Sequence, residues 1–139
     1  MANKDSLNYM IDLHGVIDSD PKFFKKMTSD LIKNRNLVYV CTGSKLEDAN
    51  EKLNSLGFKI DVNFNKILSI SDIIEKTIPA AEIEYDVNGN LWVDGMIWWP
   101  MKGKLCKQYN IDVIMDDSEE YFVYIPKTVV KLHYHKTKN

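Results

Sequence analysis

A chain of 139 residues, 45% hydrophobic and 27% charged, has the makeup of one ordinary globular domain and is long enough to bury a core without disulfide or metal staples. Its formal net charge of −2 excludes a whole-protein attraction to nucleic acid or anionic membrane, leaving only a local basic patch for such a role. No apolar run nears the roughly 18 residues of a membrane-spanning helix, and the opening Met-Ala-Asn-Lys-Asp-Ser carries no signal-peptide core, so no membrane contact and a cytoplasmic location are expected.

The first element is a short apolar run, residues 8–12, read as a buried strand that ends in Asp12 and delivers it to a loop. A carboxylate at the mouth of a buried strand is costly unless a cation or several donors meet it, although Asp also serves as a plain turn or cap residue. Asp18 and Asp20 read as turn and cap residues, and Pro21 suits the first turn of a helix that Asp20 would cap. Phe23, Phe24, Met27, Leu31 and Ile32 recur at helical spacing, so residues 21–34 form an amphipathic helix with Lys22, Lys25, Lys26 and Lys33 outward.

Residues 37–41 form a second apolar strand, ending in Thr42-Gly43-Ser44, and a helix over about 45–56 is closed by Gly57. Strands without polar alternation, separated by helices, predict a parallel sheet covered on both faces. Residues 58–62 and 66–70 are further strand candidates, with Ser71 and Asp72 as the N-cap of a brief helix through residue 76. Alternating residues around Asn88-Gly89 then give a hairpin signal, so residues 82–97 look like an antiparallel insertion in a parallel domain.

Trp98 and Trp99 follow, open to three readings: core packing, lining of a substrate cleft, or a subunit contact. A helix is expected over 101–109 and a buried strand over 111–115, ending in Asp116-Asp117-Ser118. Asp117 with Glu120 is a candidate cap for a short helix over 118–124, and residues 129–134 are the last strand candidate. His133 and His135 read as surface residues without an acidic partner, and the lysines over 131–138 as a solvated tail. Cys41 and Cys106 lack metal-type spacing and are expected to be reduced residues of the core.

If the strands ending in Asp12 and in Asp116-Asp117 are neighbours, three carboxylates meet at one sheet edge and call for a hard cation, Mg2+ above all. With a hydroxyl at Thr42 or Ser44 and a lysine at Lys102 or Lys104, these are the parts that phosphoryl transfer requires. Their order, and the run Asp12-Leu13-His14-Gly15-Val16, resemble the four motifs of the haloacid dehalogenase superfamily, along which residues 8–134 can be laid. The resemblance implies an α/β, Rossmann-like three-layer sandwich: a single domain over 1–139 with a mainly parallel sheet and the small hairpin insertion.

It also implies roles. Asp12 would be the nucleophile that becomes an aspartyl-phosphate, Thr42 would bind the phosphoryl oxygen, and Lys102, with Lys104 behind it, would neutralise the phosphate. Asp12, Asp116, Asp117 and the main-chain carbonyl of His14 would meet Mg2+. His14 stands where the superfamily usually has an acid/base Asp; imidazole can do that work near neutral pH.

Gly43, Ser44, Trp98 and Trp99 are the remaining substrate-side candidates, with little chain left for a cap. The expected function is a Mg2+-dependent phosphatase acting on a small phosphorylated molecule or nucleotide, with nucleic-acid ends among the admitted substrates and a homo-oligomer among the admitted assemblies. The rival readings are a protein that has lost turnover through His14 and holds a nucleotide or nucleotide-derived signal, and a purely structural or regulatory partner.

Overall fold

A computed structural model describes residues 5–135 of the protein. Strand β1 (Asn8–Asp12) is followed by helix α1 (Pro21–Lys33), strand β2 (Leu37–Thr42), helix α2 (Leu46–Ser55), strand β3 (Lys66–Ser69) and helix α3 (Ile70–Thr77). A two-stranded antiparallel hairpin, β4 (Glu84–Tyr85) and β5 (Leu91–Trp92), leads to a single helical turn, α4 (Gly95–Trp98), and to helix α5 (Met101–Gln108). Strand β6 (Val113–Asp116), a 3-10 segment Glu119–Tyr124 and strand β7 (Val130–His133) complete the order.

The five main strands form one parallel sheet in the order β3-β2-β1-β6-β7, a Rossmann-like arrangement in which the chain runs outward to one edge and then returns to the other side of β1. Side chains alternate along each strand, so the sheet feeds two separate cores. Ile11, Val38 and Val40 pack with Phe24 of α1 and Ala49 and Leu53 of α2 on one face. Met10, Cys41 and Ile114 pack with Ile74 of α3 and Leu105 and Cys106 of α5 on the other. Both cysteines are buried and free, and burial above all pushes the Cys41 thiol up to about 12. No helix among the described residues is long and apolar enough to cross a membrane.

Several local expectations are corrected. Residues 58–62 do not form a strand: Phe58 is drawn into the core, Asp61 takes φ 64°, and Asn63 folds the backbone back by accepting from Lys59 N at 3.0 Å. The N-cap of α3 is Ser69, not Ser71 or Asp72, because β3 runs directly into the helix and Ser69 Oγ accepts from Asp72 N at 3.1 Å. That frees the Asp72 carboxylate to accept from Leu46 N at 3.2 Å, so it caps α2 from a neighbouring element.

Asp20 does occupy the N-cap position of α1 but makes no capping bond; it accepts from the Tyr134 hydroxyl, tying the region after β7 to the start of α1. The Asp117–Glu120 cap is not formed either: Ser118 is the cap residue of the 3-10 segment, and Ser118 N donates to Asp116 Oδ1 at 2.9 Å. Of the expected lysine tail, residues 136–138 lie outside the described residues, and Lys131 sits on β7.

Candidate functional site

The site follows from register and alternation. β1 pairs with β6 through Met10–Ile114 and Ile11–Met115, so one residue further on, at the carboxyl ends of the strands, Asp12 and Asp116 stand side by side. Both share a face with Met10 and Ile114, the face covered by α5, and this is the edge where open α/β sheets bind ligands. Asp117 follows on the loop, and carboxylate oxygens of Asp12, Asp116 and Asp117 all lie within 4.8 Å of one another.

A cation already enters this nest. Lys102, in the first turn of α5, is only 2% exposed, and its ammonium bonds to Asp116 Oδ2 and lies 3.3 Å from Asp12 Oδ1. The ammonium also sits over the Tyr121 ring, 4.1 Å from its centroid. Burial raises the Asp12 pKa to about 7 against the pull of Lys102, with Asp116 and Asp117 adding to the rise. Burial alone would drive Lys102 down, but Asp12, Cys41 and Asp116 carry it well above its ordinary value, so it stays charged.

The seat of Lys102 is fixed from behind. At Gly103 a side chain would collide with the Tyr124 carbonyl, so only glycine lets α5 approach the 3-10 segment this closely. Lys104 is exposed and makes no contact with the nest, because it lies two residues further around the helix. Of the two lysines left open by the sequence, Lys102 is the one that reaches the carboxylates.

After Asp12 the chain turns sharply: His14 is extended, and Gly15 is left-handed at φ 86°, with the Asp117 carboxylate packed where a side chain would otherwise project. The His14 ring is 52% exposed and stands outside the carboxylate cluster. Its Nε2 is 2.9 Å from Ser44 Oγ and its Nδ1 is 3.3 Å from Asp18 Oδ2. Asp18, expected only in a turn, accepts from Gly15 N at 2.8 Å through its other oxygen, and so orients both the ring and the loop.

Thr42 is fully buried at the end of β2, where its Oγ1 accepts from Ser44 N at 3.2 Å. The two residues after it are held by α3 and its cap: Ser69 Oγ donates to the Ser44 carbonyl at 2.5 Å and Ser71 Oγ to that of Gly43. A side chain at Gly43 would lie 2.8 Å from the Trp98 ring, so this glycine lets the indole lie against the loop. Trp98 Nε1 donates in turn to the Tyr121 hydroxyl at 2.9 Å.

A cleft of about 360 Å³ opens here, lined by His14, Gly43, Ser44 and Trp98 on one side and by the hairpin tip, Asn88 to Leu91, on the other. The hairpin therefore covers a cleft of its own chain. Trp98 lines that cleft; Trp99 does not, packing edge-on against Tyr121 with ring centroids 4.9 Å apart.

Three residues near the site escaped sequence reasoning, for definite reasons. Tyr121 looks like any aromatic of a short helix, and only the fold lays it against Lys102 and Trp98. His133 does have an acidic partner: its Nδ1 is 3.3 Å from Glu119 and its Nε2 3.0 Å from the Asp117 carbonyl, because β7 pairs with β6 in parallel and sets Asp116 opposite His133. Asp18 alone left a signal, its four-residue spacing from His14.

The chain matches no protein-family model, no curated protein and no solved structure.

Proposed function

We propose that the protein is a Mg2+-dependent phosphomonoester hydrolase of the haloacid dehalogenase type that works through an aspartyl-phosphate on Asp12. The observation that carries the reading is the meeting of Lys102 with Asp12 and Asp116, residues 90 and 14 positions away, inside a nest that Asp117 completes. Three carboxylates against one ammonium leave a formal charge of −2 when all are ionised, and an all-oxygen donor set of that charge fits a hard divalent ion. Asp12, Asp116 and Asp117 would hold Mg2+, which supplies positive charge to the phosphoryl oxygens when bound.

In this reading an Asp12 oxygen attacks phosphorus and the bond to the ester oxygen breaks. The leaving oxygen takes its proton from the His14 ring in its protonated, imidazolium form, which the Asp18 carboxylate keeps oriented. The neutral ring then accepts a proton from a water that hydrolyses the acyl-phosphate, so one residue serves as acid and then base. Lys102 steadies the nucleophile and the phosphoryl oxygens, and the Thr42–Ser44 loop supplies hydroxyl and backbone donors. The leaving group occupies the cleft between Trp98 and the hairpin tip, whose size and amide lining suit a nucleotide or another small polar phosphomonoester.

A panel of phosphomonoesters with Mg2+ tests this: phosphate is released, Asp12→Asn abolishes release, and His14→Ala lowers it roughly 100-fold or more. One observation favours a second reading, a nucleotide-binding protein without turnover: the His14 ring is half exposed and engaged with Ser44 and Asp18 rather than with the carboxylates. Tight nucleotide binding with no phosphate release under any divalent ion would decide for it.

A further inference from the structure

A second feature lies on the α1 side of the sheet, away from the carboxylate nest. A groove of about 810 Å³ runs between α1 and the segment that follows α2, and five lysines line it: Lys22, Lys25, Lys26 and Lys33 on one wall and Lys59 on the other. The α1 lysines recur at three-, four- and seven-residue steps, so they form one stripe that extends about 16 Å along the helix. No acidic side chain lines the groove, and among the described residues only Lys26 of the five is in an ion pair, with Asp30 at 3.1 Å. For a chain with a formal net charge of −2, this is a strong local departure.

The groove is built rather than incidental. Asn63, 3% exposed, donates from Nδ2 to the Lys25 carbonyl at 3.0 Å and accepts from Lys59 N at 3.0 Å, so one buried amide fixes the backbone of both walls. Gly57, left-handed at φ 81°, leaves room at the groove's edge for the Lys25 ammonium, which would lie 2.7 Å from a side chain there. That ammonium also stands over the Phe58 ring at 5.8 Å. This mounting fixes the backbone from which the lysines of both walls project before any ligand arrives.

We infer that this groove binds the phosphodiester backbone of one strand of nucleic acid. The lining points to a polyphosphate: five of its twelve residues are lysines, none is acidic, and the rest include Ser29, Ser55 and Asn63 as small polar groups. Lysines without arginine forks or base-stacking aromatics in the groove neutralise phosphates without reading sequence. Four lysines on one wall and Lys59 on the other let a single backbone lying in the groove meet positive charge from two sides. The inference is independent of the hydrolase reading and stands or falls without it.

The test is fluorescence anisotropy of labelled oligo(dT) and oligo(rU) with the full chain, in buffer containing EDTA so that no divalent ion takes part. With four lysines engaging phosphates, the log–log salt slope is about −2.8, and affinity falls about 50-fold between 50 and 200 mM salt. The double variant Lys25→Gln/Lys59→Gln lowers the slope to about −1.4 and weakens binding at least 10-fold, while Asp12→Asn leaves it unchanged. Because Lys25 also packs on Phe58, the pair Lys22→Gln/Lys33→Gln, confined to the outer stripe, gives the same direction of change without touching that contact. No binding at 25 mM salt, binding unchanged in both double variants, or equal affinity for poly-glutamate would overturn the inference.

Discussion

The two faces of the sheet do different work. On the α1–α2 face the core is apolar apart from Thr28 and Asn63, which are uncharged and hydrogen-bonded, and no charged side chain is buried there among the described residues. On the α3–α5 face the same kind of apolar packing encloses Lys102 and, at its rim, Asp12 and Asp116. A buried ammonium is tolerable only because two carboxylates and an aromatic face meet it, so that layer is over-determined, whereas the first has no buried charge to neutralise and rests mainly on packing. Damage to one face should therefore appear as lost stability, and damage to the other as lost chemistry as well.

The largest break is Lys102→Met. It strands two carboxylates, costing about 3–5 kcal/mol of stability, and on the proposed hydrolase reading lowers phosphate release by roughly 100- to 1,000-fold. Chemical denaturation and single-turnover assays check the two parts separately. Phe24→Ala, on the opposite face, costs a similar ~3–5 kcal/mol but leaves kcat per folded molecule unchanged. A fall in kcat that survives correction for unfolded protein would end the division of labour between the faces.

The pH dependence sharpens the same contrast. Asp12 has its pKa raised to about 7 from an ordinary 3.8, so between these values the native state binds a proton that the unfolded chain has released. Its contribution to stability is present below about pH 4 and is lost as pH rises through 7. Metal-free protein thus loses stability over that window, and Asp12→Asn flattens the loss. Mg2+ bound in the proposed site has to displace that proton, so on that proposal the Mg2+-induced rise in Tm is larger at pH 8 than at pH 5.5; a rise that is larger at pH 5.5 contradicts the assignment. The smallest effect is Tyr121→Phe, which removes the acceptor of Trp98 Nε1 while keeping the ring under Lys102. Denaturant titration should register about 1 kcal/mol.

Much of this organisation is legible in the sequence because it rests on local signals. Apolar runs without alternation give the parallel strands, Asn88-Gly89 gives the hairpin, and a carboxylate at the end of each of two such runs gives Asp12 and Asp116. What the sequence hides is set by tertiary approach. It does not choose between Lys102 and Lys104, since the two differ only by rotation about α5. It does not place Asp72 on the α2 N-terminus, 26 residues away, or His133 on the Asp117 carbonyl, because both need the sheet order first. The failed strand over 58–62 has the same origin: its β-compatible residues are overruled by the buried Asn63 turn.

Gly103 carries no functional group, yet it governs how far one can reach. Helix α5 is seated against the Tyr124 carbonyl like a shaft against a stop, and the neighbouring residue, Lys102, is cantilevered from that seat. A single added methyl group would lift the shaft and swing the ammonium off its two anions, although nothing in the nest itself had changed. The tolerance of the charged centre is therefore machined at a position with no side chain, and a search confined to polar residues would overlook it.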